Sequence, residues 1–253
     1  MALAFSFAFT LLFHTQSNIM SDVNHEIIVV CGTPGVGKTT FARDLANRLE
    51  PNSKHYELSR LVEQNKALLA TDEDQFDEER NCSVFDEEKL ADYLEDLLIN
   101  NETVQVVNSN STGTTTTVVS RQNPNTFYHV LDFHCVSFFD YADELFDSVK
   151  LVVHLSASTE ELGKRLEKRN YSEQKIRENI EAEIFQVVGE EVDEMFNGDE
   201  ERKEVVQLEN NSLEDMDRNM AMVFEKLGLV STCAAPASGE VAGAAATRTC
   251  GGA

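Results

Sequence analysis

A glycine-rich loop between a short apolar run and an amphipathic segment is the feature that most constrains this sequence. The β-branched run Ile27 to Val30 predicts a buried strand, and Phe41, Leu45 and Leu49 recur every four residues, as on the buried face of a helix. Between them stands Gly32-Thr-Pro-Gly-Val-Gly-Lys38-Thr39, which matches GxxxxGK[ST]. Strand, loop and helix in this order predict a P-loop NTPase of the α/β class, with a parallel sheet flanked by helices.

The composition of this loop suits a polyphosphate. Glycines leave the backbone N–H groups unobstructed, and the positive end of the following helix attracts anions. We expect Lys38 to reach the β and γ phosphates of ATP and Thr39 to bind Mg²⁺ through its hydroxyl. A glycine-rich turn with a surface lysine is the alternative, which the flanking strand and helix disfavour. The residues expected to bind the nucleotide are Gly32, Thr33, Pro34, Gly35, Val36, Gly37, Lys38, Thr39 and Thr40.

Another apolar run begins at Phe127 and ends in Asp132, and a second polar residue, His134, follows it. An acidic residue at the carboxyl end of a parallel strand beside a P-loop commonly holds Mg²⁺, usually through water. His134 lies two residues further on and, in extended backbone, points to the same side. We therefore expect Asp132 to hold the metal and His134 to face the γ phosphate. A capping aspartate and a structural histidine are the alternative.

Two arginines supply the positive charge that phosphoryl transfer needs. Arg165 and Arg169 lie four residues apart in a helix that Ser158 or Thr159 is predicted to cap, so they share one helix face. Two guanidiniums on one face suit the charge on the transferring phosphoryl oxygens. Alternatively, these residues only complement the helix dipole.

The charge balance limits the class of partner. There are 45 acidic and 21 basic residues, a net charge of −24, which argues against a general binder of nucleic-acid backbones. A basic protein is the natural electrostatic complement, although a solvated acidic surface is an ordinary alternative. The five cysteines form no CxxC pair or zinc spacing, which favours a reduced intracellular compartment. We expect a monomer that does not associate with a membrane.

The folded domain is predicted over residues 26–229, with a polar insertion at about 105–125. Residues 1–25 are predicted to be a disordered or targeting extension, whose apolar part is too short to span a bilayer. Because no basic residues precede that part, secretion is not expected, and Met20 is a possible alternative start. Residues 230–253 are predicted to be a disordered Ala/Gly-rich tail.

Within the domain, the predicted secondary structure includes a strand at Lys54 to Leu58, a helix from Arg60 to Leu69 capped by Ser59, a helix from Asp86 to Ile99, one long helix from Ser172 to Met195, a strand around Glu204 to Leu208 and a helix from Ser212 to Leu227. The apolar stripe of the long helix, which includes Ile176, Ile180 and Ile184, is predicted to be core.

Taken together, several segments resemble the nuclear adenylate kinase/ATPase family of the adenylate kinase isoenzyme 6 type. The segments that carry the resemblance are the glycine loop Cys31 to Thr40, DEERNCSVFDEEKL at Asp77 to Leu90, Asp132-x-His134, RLEKRNY at Arg165 to Tyr171 and NIEAEIFQVV at Asn179 to Val188. The resemblance implies an adenylate-kinase-like fold with a short lid, ATP and Mg²⁺ as cofactors, and AMP as acceptor. It also implies a role in small ribosomal subunit maturation with a basic small-subunit ribosomal protein, in nucleus and cytoplasm.

Departures from the family pattern fall mainly on positive charges. Glu63 stands where a basic residue is typical, Ser156 where an arginine is expected, and Asn170 in place of a lid glycine. Asp140-Tyr-Ala also replaces a Pro-Glu-Arg segment. Because the glycine loop is intact, ATP binding is expected more strongly than AMP phosphorylation.

Two functions therefore remain open. The first is a nucleoside monophosphate kinase with ATPase activity, in which Lys38, Asp132, His134, Arg165 and Arg169 act on the γ phosphate. The second is a catalytically weak, ATP-dependent assembly chaperone for a basic ribosomal protein.

Overall fold

A computed structural model of the chain describes residues 23–71, 76–77, 82–83, 85–100, 126–197 and 203–229. The predicted insertion at 105–125, the predicted tail at 230–253 and nearly all of the predicted extension at 1–25 lie outside these residues. The first strand starts at Asn24, two residues before the predicted domain boundary.

A parallel sheet forms the centre of the described part of the chain, and it has five strands in the order β2-β5-β1-β6-β7. The strands, including a separate two-stranded antiparallel ladder β3-β4, are β1 (Asn24–Cys31), β2 (Ser53–Glu57), β3 (Phe76–Asp77), β4 (Cys82–Ser83), β5 (Thr126–Asp132), β6 (Val149–Ser156) and β7 (Val205–Glu209). The inner strands β1, β5 and β6 are buried over most of their length and are largely apolar, whereas the edge strand β2 (SKHYE) is mostly polar.

The helices cover both faces of the sheet. They are α1 (Lys38–Leu49), α2 (Leu58–Gln64), α3 (Lys66–Leu69), α4 (Glu87–Glu95) with a π-helical end (Asp96–Asn100), a 3₁₀ helix (Ser137–Tyr141), α5 (Asp143–Asp147), α6 (Thr159–Lys168), α7 (Glu173–Ile184), α8 (Val187–Phe196) and α9 (Leu213–Lys226). In the described residues, no helix combines the length and apolar character needed to cross a lipid bilayer.

Two apolar clusters lie on opposite faces of the sheet, because successive side chains of a strand point to opposite faces. Ile27 and Val29 of β1 belong to the cluster that α4, α5 and α8 cover. Ile28 and Val30 belong to the opposite cluster, which α1, α6 and α9 cover. Successive residues of β1 therefore pack against opposite layers of helices. The P-loop lies at the carboxyl edge of the sheet because it directly follows β1.

Two helix predictions were wrong in detail. The helix after β2 begins at Leu58, with Glu57 rather than Ser59 at its N-cap, and it is interrupted at Asn65. The predicted long helix is two helices, because Gln186 takes a left-handed conformation with φ of 54°. Before this break Ile176 and Ile180 are partly buried, but Ile184 is 58% exposed, so its predicted place in the core was wrong. Past the break Val188, Val192 and Phe196 are buried.

The predicted helix ends are otherwise close to those observed. Asp86 caps α4 by accepting a hydrogen bond from Lys89 N, and Ser158 caps α6 by accepting one from Glu161 N. Ser212 caps α9 in a capping box with Asp215. Gly228 follows that helix with a positive φ, a common helix end.

Candidate active site

The P-loop leads from β1 into α1 and lines a cleft of about 580 Å³. Gly37 stands at the N-cap of α1 with φ of 108°, which only glycine adopts without strain. A Cβ there would lie 2.5 Å from Asn210 Nδ2, so the loop also has no room for a side chain at this position. The backbone thus leaves the N-terminus of α1 open towards the cleft, as an anion site requires.

Lys38 folds back over the loop. Its Nζ donates hydrogen bonds to Gly32 O at 2.7 Å and Thr33 O at 3.2 Å. Burial lowers the pKa of Lys38 to about 8, although the nearby Asp132 carboxylate acts in the opposite direction. Lys38, Thr39 and Thr40 all line the cleft, together with Pro34, Gly35 and Gly37 of the same loop.

Asp132 ends β5 and lines the same cleft, so its carboxylate lies on the P-loop side of the sheet. It is 3% exposed, and among the described residues its Oδ2 has no hydrogen-bond partner. His55 Nε2 lies 3.6 Å from that oxygen and, among the described residues, likewise has no hydrogen-bond partner. An orphaned carboxylate oxygen facing a cleft is suited to a cation or its water shell.

These residues fit Mg²⁺ better than a cation held by protein alone. In the described residues, no group of three or more His, Cys, Asp or Glu side chains comes together as a metal site. Mg²⁺ usually keeps several waters and binds one or two carboxylates plus substrate phosphates. One buried carboxylate and the Thr39 hydroxyl beside a phosphate loop provide that donor set.

His134 lies on the loop that follows β5 and lines the cleft with Asp132. Its ring contacts the Phe133 ring edge-on, with centroids 4.4 Å apart. Desolvation in the cleft lowers the pKa of His134 to about 4, and the Lys38 ammonium contributes in the same direction. The imidazole is therefore neutral near pH 7, with a ring nitrogen able to accept a proton.

The two arginines predicted to act together are separated by the structure. Arg165 donates from Nη1 to Val36 O at 3.1 Å and from Nη2 to Asn211 O at 2.9 Å, and its Nε pairs with Glu161. Asn210 Nδ2 donates to the same Val36 carbonyl at 2.8 Å. Arg165 therefore hydrogen-bonds the P-loop without lining the cleft, and of the two arginines only Arg169 lines the cleft.

Arg169 belongs to a wall formed by the α6–α7 turn and α7, with Tyr171, Lys175, Glu178 and Asn179. Asn170 of this turn has φ of 58°, the left-handed conformation in which asparagine is among the better-tolerated residues. The replacement of a lid glycine by Asn170 is thus compatible with the turn.

The opposite wall, formed by β2 and α2, is acidic. It consists of Glu57, Ser59, Val62 and Glu63, with Phe85 beside it. Glu63 forms an ion pair with Lys66 Nζ at 2.7 Å. Of the described residues that line this wall, none is a lysine or arginine. The positive charge of the cleft is thereby concentrated on the P-loop and the α6–α7 wall. Neither Ser156 nor Asp140 is among the lining residues.

Sequence reasoning missed several residues that support this site. Asn210 follows β7, and Glu183 and Glu191 lie in α7 and α8. Ala157 N donates to Glu183 Oε1 at 2.8 Å, so this 5% exposed carboxylate holds the loop after β6. The motif NIEAEIFQVV contains Glu183, but the spacing of its apolar residues predicts only a core-facing helix and gives no sign of the role of this carboxylate.

The chain is similar in sequence to several known proteins. A family model described as "AAA domain" matches residues 28–186. An adenylate kinase isoenzyme 6 homolog of Caenorhabditis elegans is 33% identical over 79% of this chain and 88% of its own length. The homolog of Schizosaccharomyces pombe is 33% identical over 78% of this chain and 89% of its own. That of Saccharomyces cerevisiae is 31% identical over 80% and 83%, respectively.

Proposed function

Because the chain belongs to the adenylate kinase isoenzyme 6 family, we propose that it binds MgATP in the cleft and transfers the γ-phosphoryl group to AMP or to water. The observation that carries this proposal is the convergence of Lys38, Thr39, Asp132, His134 and Arg169 on one cleft. These are the groups that position and neutralise a triphosphate, and phosphoryl transfer needs little else from a protein.

Each residue has a distinct part in this mechanism. On ATP binding, the Lys38 ammonium leaves the carbonyls of Gly32 and Thr33 and contacts the β and γ phosphates. Asp132 and Thr39 would hold Mg²⁺, which would offset part of the phosphate charge. Arg169 closes on the γ phosphate from the α6–α7 wall. When water is the acceptor, His134 orients it and accepts its proton as the new P–O bond forms and ADP leaves. An AMP phosphate attacks through an ionised oxygen and needs no base.

The choice between AMP and water depends on the β2–α2 wall. An AMP phosphate on this wall would meet the carboxylates of Glu57 and Glu63, with the Lys66 ion pair offsetting part of the latter charge. These carboxylates would repel the negatively charged AMP phosphate, whereas a water molecule carries no net charge and would not be repelled. We therefore propose ATP hydrolysis as the faster reaction and AMP phosphorylation as the slower one.

The test measures ADP production with and without AMP, with and without a chelator of Mg²⁺. We expect Lys38→Ala to lower both rates by about 10²–10³-fold, the usual loss for a transition-state charge contact. Lys164→Ala is the matched control, because this lysine is 61% exposed and pairs with Glu160 outside the cleft. If Lys38→Ala left both rates unchanged, the assignment of the site would be wrong.

A second candidate function is favoured by the net charge of −24 and by the acidic β2–α2 wall. Here ATP occupancy switches the α6–α7 wall, and the acidic surface binds a basic small-subunit ribosomal protein during subunit maturation in nucleus and cytoplasm. Nucleotide-dependent binding of such a protein without ATP turnover would support this function. Equal binding with and without ATP would contradict it.

A further inference from the structure

The loop after β5 is held by carboxylates from two distant helices. Val136 N and Ser137 N both donate to Glu191 Oε1 of α8, at 2.6 and 2.8 Å. Ser137 Oγ donates to Glu87 Oε1 of α4 at 2.6 Å. His134 lies on this loop, two residues before the first of these amides.

The Glu191 contact is the stronger of the two for fixing the backbone. Hydrogen bonds from N–H groups to an ionised carboxylate are about twice as strong as neutral ones, and here two converge on one oxygen. They also lie at the start of the 3₁₀ helix, where N–H groups lack partners within the helix and a negative charge is favourable. The carboxylate therefore restrains the backbone immediately after His134.

We infer that Glu191 is a positioning residue, which holds the loop so that the His134 imidazole faces the attacking group in the cleft. The role of His134 in this inference rests on the proposed function, whereas the hydrogen bonds to Glu191 do not depend on it. It gives α8 a part in phosphoryl transfer although, within the described residues, no α8 side chain lines the cleft.

A purely structural role predicts a different behaviour. Val136 and Phe138 are fully buried and anchor the same loop by apolar packing. If that packing alone set the loop, loss of Glu191 would lower stability without a selective effect on turnover. A positioning role instead predicts a lower kcat at unchanged affinity, because small misplacements of a catalytic group cost about 10²-fold in rate.

The experiment compares Glu191→Ala, Glu191→Gln and the full-length wild-type protein. We expect Glu191→Ala to lower kcat for ATP by about 10- to 100-fold while the Kd of MgATP stays within about twofold. The amides of Val136 and Ser137 should exchange hydrogen at least about tenfold faster. Glu191→Gln keeps an acceptor oxygen without the charge and should lose only about threefold in kcat.

Glu190→Ala is the matched control, since it removes the same charge from the adjacent, exposed position of α8. The inference is overturned if folded Glu191→Ala keeps its kcat, if kcat and affinity fall together, or if Glu190→Ala has the same effect. Should Glu191→Ala not fold, a Glu191→Gln variant with wild-type kcat and amide exchange overturns it. A wild-type protein without ATP turnover would overturn the proposed function itself, which separates the two failures.

Discussion

Replacing Arg165 by alanine tests whether this residue supports the P-loop or acts on the phosphate. The substitution removes its hydrogen bonds to Val36 O and Asn211 O and its pair with Glu161. Each hydrogen bond contributes about 1 kcal/mol to the free energy of unfolding. The ion pair adds less than about 1 kcal/mol, because its side chains are 25% and 33% exposed. The expected loss is therefore about 2–3 kcal/mol.

In a domain of this size each kcal/mol shifts Tm by about 2–4 °C, so the Tm of Arg165→Ala should be about 4–12 °C lower. In Arg165→Ala, Val36 O still accepts a hydrogen bond from Asn210 Nδ2, so the P-loop should remain formed. It should nevertheless bind MgATP more weakly. Arg169→Ala is the matched comparison. Arg169 is exposed in the cleft, so its loss should change Tm by no more than about 2 °C. It should nevertheless lower kcat by about 10²-fold or more.

The assay is thermal unfolding followed by circular dichroism, combined with MgATP affinity and steady-state ADP production. The reasoning predicts opposite profiles: Arg165→Ala loses stability and affinity, whereas Arg169→Ala loses turnover. A variant Arg165→Ala with unchanged Tm and a selectively reduced kcat would refute it, since Arg165 would then contact the transferred group.

Two further predictions concern the P-loop, and a third concerns a glycine of α6. Because burial lowers the pKa of Lys38 to about 8, MgATP affinity should weaken as pH rises through about 8 and the ammonium is lost, whereas Lys38→Ala should show no such dependence in a Kd titration. Gly37→Ala requires a left-handed alanine with its Cβ 2.5 Å from Asn210 Nδ2, so it should lose at least about 1–2 kcal/mol of unfolding free energy in urea. Gly163→Ala, whose Cβ would meet only Ile180 Cδ1 at 3.6 Å, should instead gain about 0.5–1 kcal/mol, and a loss there would contradict the packing described.

Local sequence was sufficient for the parts of the site that one segment builds alone. The order of strand, glycine loop and helix identified the P-loop, because its glycines and the helix N-terminus act over neighbouring residues. The end of β5 at Asp132 could be predicted for the same reason. Alternation along the strand and the parallel sheet together bring this carboxylate beside the P-loop.

Contacts between distant segments could not be predicted in this way. Helical spacing predicted that Arg165 and Arg169 share one helix face, but their side chains lie one turn apart. Arg165 hydrogen-bonds Val36 O, whereas Arg169 lines the cleft. The break at Gln186 was missed because the apolar spacing continues across it, although a left-handed residue redirects the chain.

Local sequence was enough to predict a triphosphate site and the strand end beside it, because both predictions depend on backbone geometry within short segments. The contacts that hold this site in shape depend on tertiary packing. Arg165 and Val36 are 129 residues apart, and Glu191 and Val136 are 55 apart. Hydrogen bonds across such separations depend on how the sheet and helices pack, and the periodicity of any single segment carries no information about them.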